Sequence, residues 1–124
     1  MNFSYYVSIL LKIDRLNEQI ERLESNLYYV HPSTLTDMPR GSLVGTDGVT
    51  DDIYKLHELR DQRLKLREER DNIRIAVGMT DVEFAIVFQK YVLNMTWKEI
   101  AKEHAYSARH VQRIHFKLME KFCN

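Results

Sequence analysis

Glycine and proline divide this chain into segments, and their distribution limits the fold more than any other feature of the sequence. Both prolines and three of the four glycines lie between residues 31 and 50, a stretch that is also rich in serine and threonine. Such residues interrupt helices and strands, so residues 31–50 are predicted to form a flexible loop. The fourth glycine, Gly78, suits the position just after a helix end. Segments without breakers remain over residues 3–30, 51–77 and 79–124.

The first segment carries an apolar stripe with the period of an α-helix. The spacing alternates between three and four residues, which places the whole stripe on one helix face. A helix of about 27 residues, rising 1.5 Å per residue, makes a rod of roughly 40 Å. The members of the stripe are Tyr6, Ile9, Ile13, Leu16, Ile20, Leu23, Leu27 and Val30.

The second segment predicts a helix of similar length. It begins with Thr50, a residue type that caps helices, followed by two acids that favour a helix N-terminus. Two matched rods joined by a loop predict a long, coiled-coil-like antiparallel helical hairpin over residues 1–78, which we expect to mediate oligomerisation. The apolar residues of the second rod are Ile53, Leu56, Leu59, Leu66, Ile73 and Val77.

Arginines form a second stripe on the same predicted helix, with two possible roles. They are Arg60, Arg63, Arg67, Arg70 and Arg74. One antiparallel register pairs three of them with acids of the first helix, as Asp14–Arg67, Glu18–Arg63 and Glu21–Arg60. The favoured interpretation is therefore a row of ion pairs along the hairpin edge. The alternative is a surface that follows the phosphates of DNA.

Residues 79–124 predict three short helices with explicit start signals. Thr80 with Glu83, and Thr96 with Glu99, have the spacing of capping boxes. Ser107 is placed to cap the last helix, whose apolar residues are Val111, Ile114, Leu118 and Phe122.

The connection between the last two helices is very short. Only Ala105 and Tyr106 lie between the second of these helices and the capping Ser107. Two helices joined this tightly predict a helix-turn-helix. Its buried contacts are expected to come from Ile100, Tyr106, Val111 and Ile114.

The polar side of the last helix carries the residue types that bind DNA. Arginine pairs with guanine, glutamine with adenine, and lysine with phosphate. From residue 105 onward there are four basic residues against one acid, although the 18 basic and 18 acidic residues of the whole chain balance. The predicted DNA-binding residues are Thr96, Lys98, Ser107, Ala108, Arg109, His110, Gln112, Arg113 and Lys117.

Residues 79–121 resemble the region-4 helix-turn-helix of sigma-70-type factors, through Met79-Thr80-Asp81, Tyr91, Thr96-Trp97-Lys98-Glu99-Ile100-Ala101 and Ser107 with Val111. More narrowly, residues 97–101 and 106–115 are similar to small regulators from phages of Gram-positive bacteria, the ArpU/RinA-like late-transcription regulators. The resemblance implies a C-terminal DNA reader joined to an N-terminal coiled coil. Two residues depart from the sigma pattern: His104, where an apolar residue is typical, and Ala105, where glycine is common.

Together these features predict an all-α, sequence-specific DNA-binding regulator of transcription, of phage or prophage origin. Its expected partners are double-stranded DNA, a second copy in a homodimer and host RNA polymerase, in the bacterial cytoplasm. One alternative is a DNA-packaging recognition subunit of the small-terminase kind. The other is a module that binds RNA polymerase or another protein without DNA specificity.

Features of enzymes, metal sites and membrane proteins are missing from the sequence. There is no Gly-rich phosphate loop or nucleophile elbow, and His110 and His115 are five residues apart rather than four. The single cysteine, Cys123, excludes a disulfide framework. No apolar run approaches the roughly 20 residues of a membrane span, and no basic start of a signal peptide is present. We therefore predict a protein that is not an enzyme, with no catalytic residues, cofactor, metal or membrane association.

Overall fold

The structure is a computed structural model that describes residues 2–37 and 41–123, with side chains described for residues 2–27 and 50–123. Over these ranges all regular structure is helical and no strand occurs, so the predicted all-α class is confirmed. The helices are α1 (Phe3–Asp37), α2 (Gly41–Val77), α3 (Asp81–Val87, continued by a π-helical turn over Phe88–Val92), α4 (Trp97–His104) and α5 (Ala108–Cys123).

The predicted loop over residues 31–50 is too long. In the structure α1 continues to Asp37, and α2 begins at Gly41, well before the predicted cap at Thr50. Residues 38–40, which also belong to the predicted loop, lie outside the described residues. The physical reason for the difference is cooperative elongation. A helix that has already nucleated gains one backbone hydrogen bond for each added residue, and this gain opposes the effect of the breakers.

The chain separates into two compact units. The first combines residues 1–14 with residues 66–124, and the second contains residues 15–65. The units follow packing rather than chain order, because the first turns of α1 and the last turns of α2 belong to the same unit as the three short helices.

The unit of residues 15–65 contains parts of both predicted stripes. Its buried apolar side chains include Leu16 and Ile20 of α1 and Leu56 and Leu59 of α2. Ile53, another apolar residue of the second segment, is 41% exposed. The reason is geometric, since two steps of three residues rotate Ile53 roughly 120° around the helix axis from Leu59.

Polar contacts between α1 and α2 in this unit join other partners than the predicted ones. Arg60 pairs with Glu24 at 2.8 Å, and Arg63 donates a hydrogen bond to Asn17 at 3.0 Å. Glu24 lies three residues from the predicted partner of Arg60, and Asn17 lies one residue from the predicted partner of Arg63. A long, flexible arginine side chain spans such differences. The predicted pairs that do not form in the described part of the chain are Glu21–Arg60, Glu18–Arg63 and Asp14–Arg67.

In the other unit, α2 ends where the sequence predicts. Gly78 has a φ of +77°, a conformation that glycine adopts without steric penalty. The N–H of Gly78 donates to the carbonyl of Ile75 at 3.2 Å, and the N–H of Met79 donates to the carbonyl of Arg74 at 3.0 Å. These two bonds form a Schellman motif, which satisfies carbonyls at the helix end.

Both predicted capping boxes are present in this unit. The Oγ1 atom of Thr80 accepts the N–H of Glu83 at 3.2 Å, and the Glu83 carboxylate accepts the N–H of Thr80 at 2.9 Å. The Oγ1 atom of Thr96 accepts the N–H of Glu99 at 3.2 Å in the same way. Reciprocal caps satisfy the first backbone donors of α3 and α4, which explains why such short helices begin sharply at these residues.

Two apolar clusters hold the short helices, and α5 contributes to both. The first cluster contains Tyr6, Ile9, Leu10, Ile13, Ile73, Met79, Val87, Leu118 and Phe122. The second contains Ile86, Ile100, Ala101 and Val111. The predicted apolar stripe of the last helix is thus confirmed as buried, except that Ile114 is only half-buried.

Candidate nucleic-acid interface

The connection between α4 and α5 is a tight turn with a defined backbone. Ala105 adopts the left-handed conformation, with φ of 58° and ψ of 38°. The N–H of Tyr106 donates back to the carbonyl of Ala101 at 2.9 Å. The Oγ atom of Ser107 then accepts the N–H of His110 at 3.1 Å, so Ser107 caps α5 as predicted. These bonds fix the direction in which α5 leaves the turn.

The outward face of α5 is basic. Arg109, Arg113 and Lys117 are exposed and follow each other at intervals of four residues, which places them on one side of the helix. Within the described ranges, none of these three side chains forms an ion pair. The outward face of α5 therefore presents positive charge to solvent without an acidic partner from the residues that the structure describes.

Two residues on this face were not among the predicted site residues. Phe116 is 63% exposed, and Glu120 is exposed as well. Their positions, three and seven residues after Arg113, place both on the arginine side of α5. The sequence spacing alone places Phe116 and Glu120 on the arginine side of α5. An aromatic residue in an amphipathic helix is, however, normally assigned to the buried side.

The other predicted site residues are distributed around the start of α4 and the start of α5. Lys98 and His110 are exposed, whereas Ala108 and Gln112 are partly buried at the edges of the α5 face. Thr96 is exposed, but its hydroxyl already donates to the Glu99 carboxylate at 3.0 Å. The structure thus leaves Lys98 and His110 more accessible to a ligand than Ala108, Gln112 or the Thr96 hydroxyl.

Tyr106 was expected to be buried, and this prediction is wrong. The residue is 39% exposed, and its ring lies between two histidine rings at the turn. The His104 ring stacks on it with centroids 5.9 Å apart, and the His110 ring meets its edge at 4.7 Å. The left-handed conformation of Ala105 redirects the chain, so Tyr106 does not follow the apolar face of α4.

His115 is the largest feature that the sequence analysis missed. The residue is 5% exposed, and its Nε2 atom is 2.7 Å from the hydroxyl of Tyr91. Aromatic rings surround the imidazole, with centroid distances of 5.6 Å to Phe3 and 5.1 Å to Trp97. Its position was readable from the sequence, because four residues separate it from Val111 on the buried side of α5.

Burial of His115 has an electrostatic consequence. Removal of the ring from water lowers the pKa of His115, and the positive charge of Lys90 lowers it further. Its Nδ1 atom has no hydrogen-bond partner among the described residues. A second proton on this ring would place an unsatisfied donor in an aromatic environment, which is energetically unfavourable. The burial of His115 therefore favours its neutral form over its protonated form in the folded protein.

Lys121 belongs to the basic C-terminal segment, but it has partners. Its Nζ atom donates to the Glu83 carboxylate at 2.9 Å and to the carbonyl of Gly78 at 3.2 Å. Burial alone would raise the pKa of Glu83, but hydrogen bonds from Thr80 and Lys121 outweigh it, so the pKa of this carboxyl is lowered. The ammonium group of Lys121 thus binds acceptors within the protein and is less available to a ligand than the side chains on the outward face of α5.

In the described residues, no group of three or more His, Cys, Asp or Glu side chains is arranged to hold a metal ion. No helix in these residues combines the length and the apolar character needed to cross a bilayer.

Comparisons with known proteins complete the description of this site. No match was found in a scan against models of protein families, in a search of curated proteins or in a search of solved structures.

Proposed function

We propose that this chain is a sequence-specific DNA-binding regulator of transcription, and that α5 is its recognition helix. The observation that carries the proposal is the outward face of α5, where Arg109, Arg113 and Lys117 are exposed without ion-pair partners in the described chain. A helix presents such a face to the major groove while its apolar side is packed. Both arginines have the donor geometry that reads guanine.

The proposal includes a helix-turn-helix formed by α4 and α5. It is supported by the left-handed residue Ala105 and the cap at Ser107, which join the two helices through a tight turn. In this arrangement α4 crosses the phosphate backbone, where Lys98 supplies a phosphate contact, and the first turns of α5 meet base edges. The resemblance of residues 79–121 to sigma region 4, and that of residues 97–101 and 106–115 to ArpU/RinA-like phage regulators, support the same role.

We further propose that α1 and α2 form a coiled-coil-like antiparallel hairpin, and that it makes the protein a homodimer. Support comes from the buried side chains of Leu16, Ile20, Leu56 and Leu59 and from the Arg60–Glu24 ion pair. A dimer carries two reading helices, which fit half-sites about one helical turn of DNA apart. This function needs no catalytic residue or cofactor and belongs in the cytoplasm of a phage's host.

A protein-interaction module is the second candidate function. It is favoured by Phe116, which is 63% exposed in the middle of the basic face. Exposed aromatic residues are typical anchors of protein interfaces. In this case host RNA polymerase is the candidate partner, and Phe116→Ala removes its capture while the chain has no affinity for DNA.

Selection of bound duplexes from a random DNA pool, followed by sizing of the complex, tests the proposal. We expect enrichment of a defined sequence with two half-sites separated by about 10 base pairs, bound by two copies of the protein. We also expect binding to weaken steeply with salt, because the contacts displace counterions from phosphates. Recovery of random sequences, or of no duplex at all, would contradict the assignment of α5 as a reader.

A further inference from the structure

Five polar and aromatic side chains form a continuous series of contacts from α4 and the π-helical turn after α3 to the exposed face of α5. In order of contact, they are Glu103, Gln89, His104, Tyr106 and His110. The last of them is exposed on the first turn of α5, next to Arg109.

The first two contacts determine the orientation of the His104 ring. The Nε2 amide group of Gln89 donates to the Glu103 carboxylate at 2.9 Å, because a carboxylate only accepts hydrogen bonds. The Oε1 atom of Gln89 therefore faces His104, at 2.8 Å from its Nε2 atom. Since this oxygen is an acceptor, the Nε2 atom of His104 carries the proton. The ring plane and the tautomer of His104 are thus both defined.

The next two contacts hold the Tyr106 ring against His104 and the His110 ring against Tyr106. The rings of His104 and Tyr106 are nearly parallel, at 13° to each other with centroids 5.9 Å apart. The rings of Tyr106 and His110 are nearly perpendicular, at 89° with centroids 4.7 Å apart. Edge-to-face geometry of this kind is a favourable arrangement of aromatic rings. The backbone N–H of Tyr106 is also bonded to Ala101, so Tyr106 is held at both its main chain and its ring.

His110 is consequently the ordered side chain on the proposed reading face. Its main chain is tied to the Ser107 hydroxyl and its ring to Tyr106. Arg109, which lies beside it, makes no hydrogen bond or ion pair in the described residues. An ordered side chain loses less conformational entropy on binding and tolerates less error in the position of its partner. Sequence discrimination requires both properties.

We propose that His110 sets base specificity in this protein, donating a ring N–H to the N7 acceptor of a purine in the major groove, and that Tyr106 is its positioning residue. The inference rests on the proposed function of α5 as a DNA reader. Guanine and adenine present the N7 acceptor, whereas cytosine presents a donor and thymine presents its acceptor at a different atom, O4. A donor held in a fixed position opposite N7 therefore distinguishes purine from pyrimidine. Arg109 and Arg113 then supply affinity and further contacts.

The test compares sequence preference rather than affinity alone, using duplex selection and competition binding with the full chain. The wild type is expected to prefer a purine at one position by about fivefold, the ratio for a hydrogen bond of roughly 1 kcal/mol. Tyr106→Phe keeps the ring and is expected to keep this preference. Tyr106→Ala and His110→Ala are expected to lose it at that position, while the preferences at the other positions of the selected site are retained. His110 is exposed, so His110→Ala tests the base contact even if Tyr106→Ala lowers stability.

The outcomes separate this inference from the function on which it rests. If the wild type enriches no sequence, the proposed DNA-reading function fails. If the wild type enriches a sequence but Tyr106→Ala retains the purine preference, the positioning role of Tyr106 is wrong. The inference would also be overturned if Tyr106→Ala lost the preference at every position while His110→Ala kept the preferences of the wild type. In that case Tyr106 would support the fold and would not position His110.

Discussion

Two helices of this protein carry basic side chains at helical spacing, and the surroundings of those side chains differ. In α2, Arg60 pairs with Glu24, and Arg74 pairs with Asp81. In α5, Arg113 is exposed and forms no ion pair in the described residues. Residue type and spacing are nearly the same in both helices, so these properties do not determine what a basic stripe does.

The supply of acids explains the difference. Residues 51–77 contain seven basic and seven acidic side chains, whereas α5 contains only one acid, Glu120. Arginines in α2 have acceptors within the same helix, at Asp71, and also on α1 and at the start of α3. The arginines of α5 keep their guanidinium N–H donors available for a ligand. The alternative that the α2 stripe follows DNA phosphates loses support, because several of its donors already have acceptors within the protein.

The largest expected difference between the two stripes is in DNA binding. Arg109→Ala and Arg113→Ala are each expected to weaken binding to a selected duplex by about 1–3 kcal/mol, because each removes a donor pair from base edges. Arg63→Ala in α2 is the matched control and should leave the affinity unchanged. Fluorescence anisotropy at one fixed salt concentration measures all three. Equal losses from the α2 and α5 variants would remove the distinction.

The anchoring of α5 is expected to depend on pH through His115. Its pKa is lowered in the folded state, so the unfolded chain binds a proton at a higher pH than the folded chain. The stabilisation from neutral His115 is therefore complete above about pH 6.5, the ordinary value for histidine, and is lost as the pH falls below it.

Urea unfolding at pH 7.5 and pH 5.5 measures this loss. His115→Phe is expected to reduce the pH dependence, while His110→Ala, which changes an exposed histidine, retains it. Glu83 does not interfere, because its lowered pKa affects stability only in a more acidic range. An unchanged pH dependence in His115→Phe would mean that another group is responsible.

The turn that directs α5 provides a smaller test. Ala105→Gly is expected to stabilise the protein by about 0.5–1 kcal/mol. Glycine relieves a left-handed strain of roughly 1–2 kcal/mol, and part of this gain is offset by the greater freedom of glycine in the unfolded chain. Ala76→Gly, in the last turn of α2, is the control and should be destabilising. Thermal unfolding of both variants shows whether each substitution raises or lowers the stability of the protein. Destabilisation by Ala105→Gly would argue against the left-handed turn.

The smallest effect is expected from the ion pairs of α2. Arg60 and Glu24 have side chains that are 43% and 47% exposed, so a double-mutant cycle should yield a coupling of only about 0.2–1 kcal/mol. The same cycle on Arg60 and Glu21, the pair expected from the sequence alone, should yield none. Chemical denaturation of the single and double alanine variants measures both couplings. Coupling to Glu21 instead of Glu24 would restore the register predicted from the sequence.

Much of the C-terminal region was predictable because its signals are local. The caps at Thr80, Thr96 and Ser107 act within three residues, and Gly78 acts on the turn before it. Signals of this range depend only on residue type and spacing. The extent of α1 and α2 was not predictable in the same way, because local breakers competed with cooperative elongation.

The sequence by itself determined the all-α class, the starts of the three short helices and the buried side of α5, because helical periodicity and capping are encoded in neighbouring residues. Only the tertiary structure decided which basic side chains find acids, how α1 meets α2 in residues 15–65, and that Tyr106 is exposed. These properties depend on side chains that are distant in the chain, and their positions follow from packing rather than from local sequence.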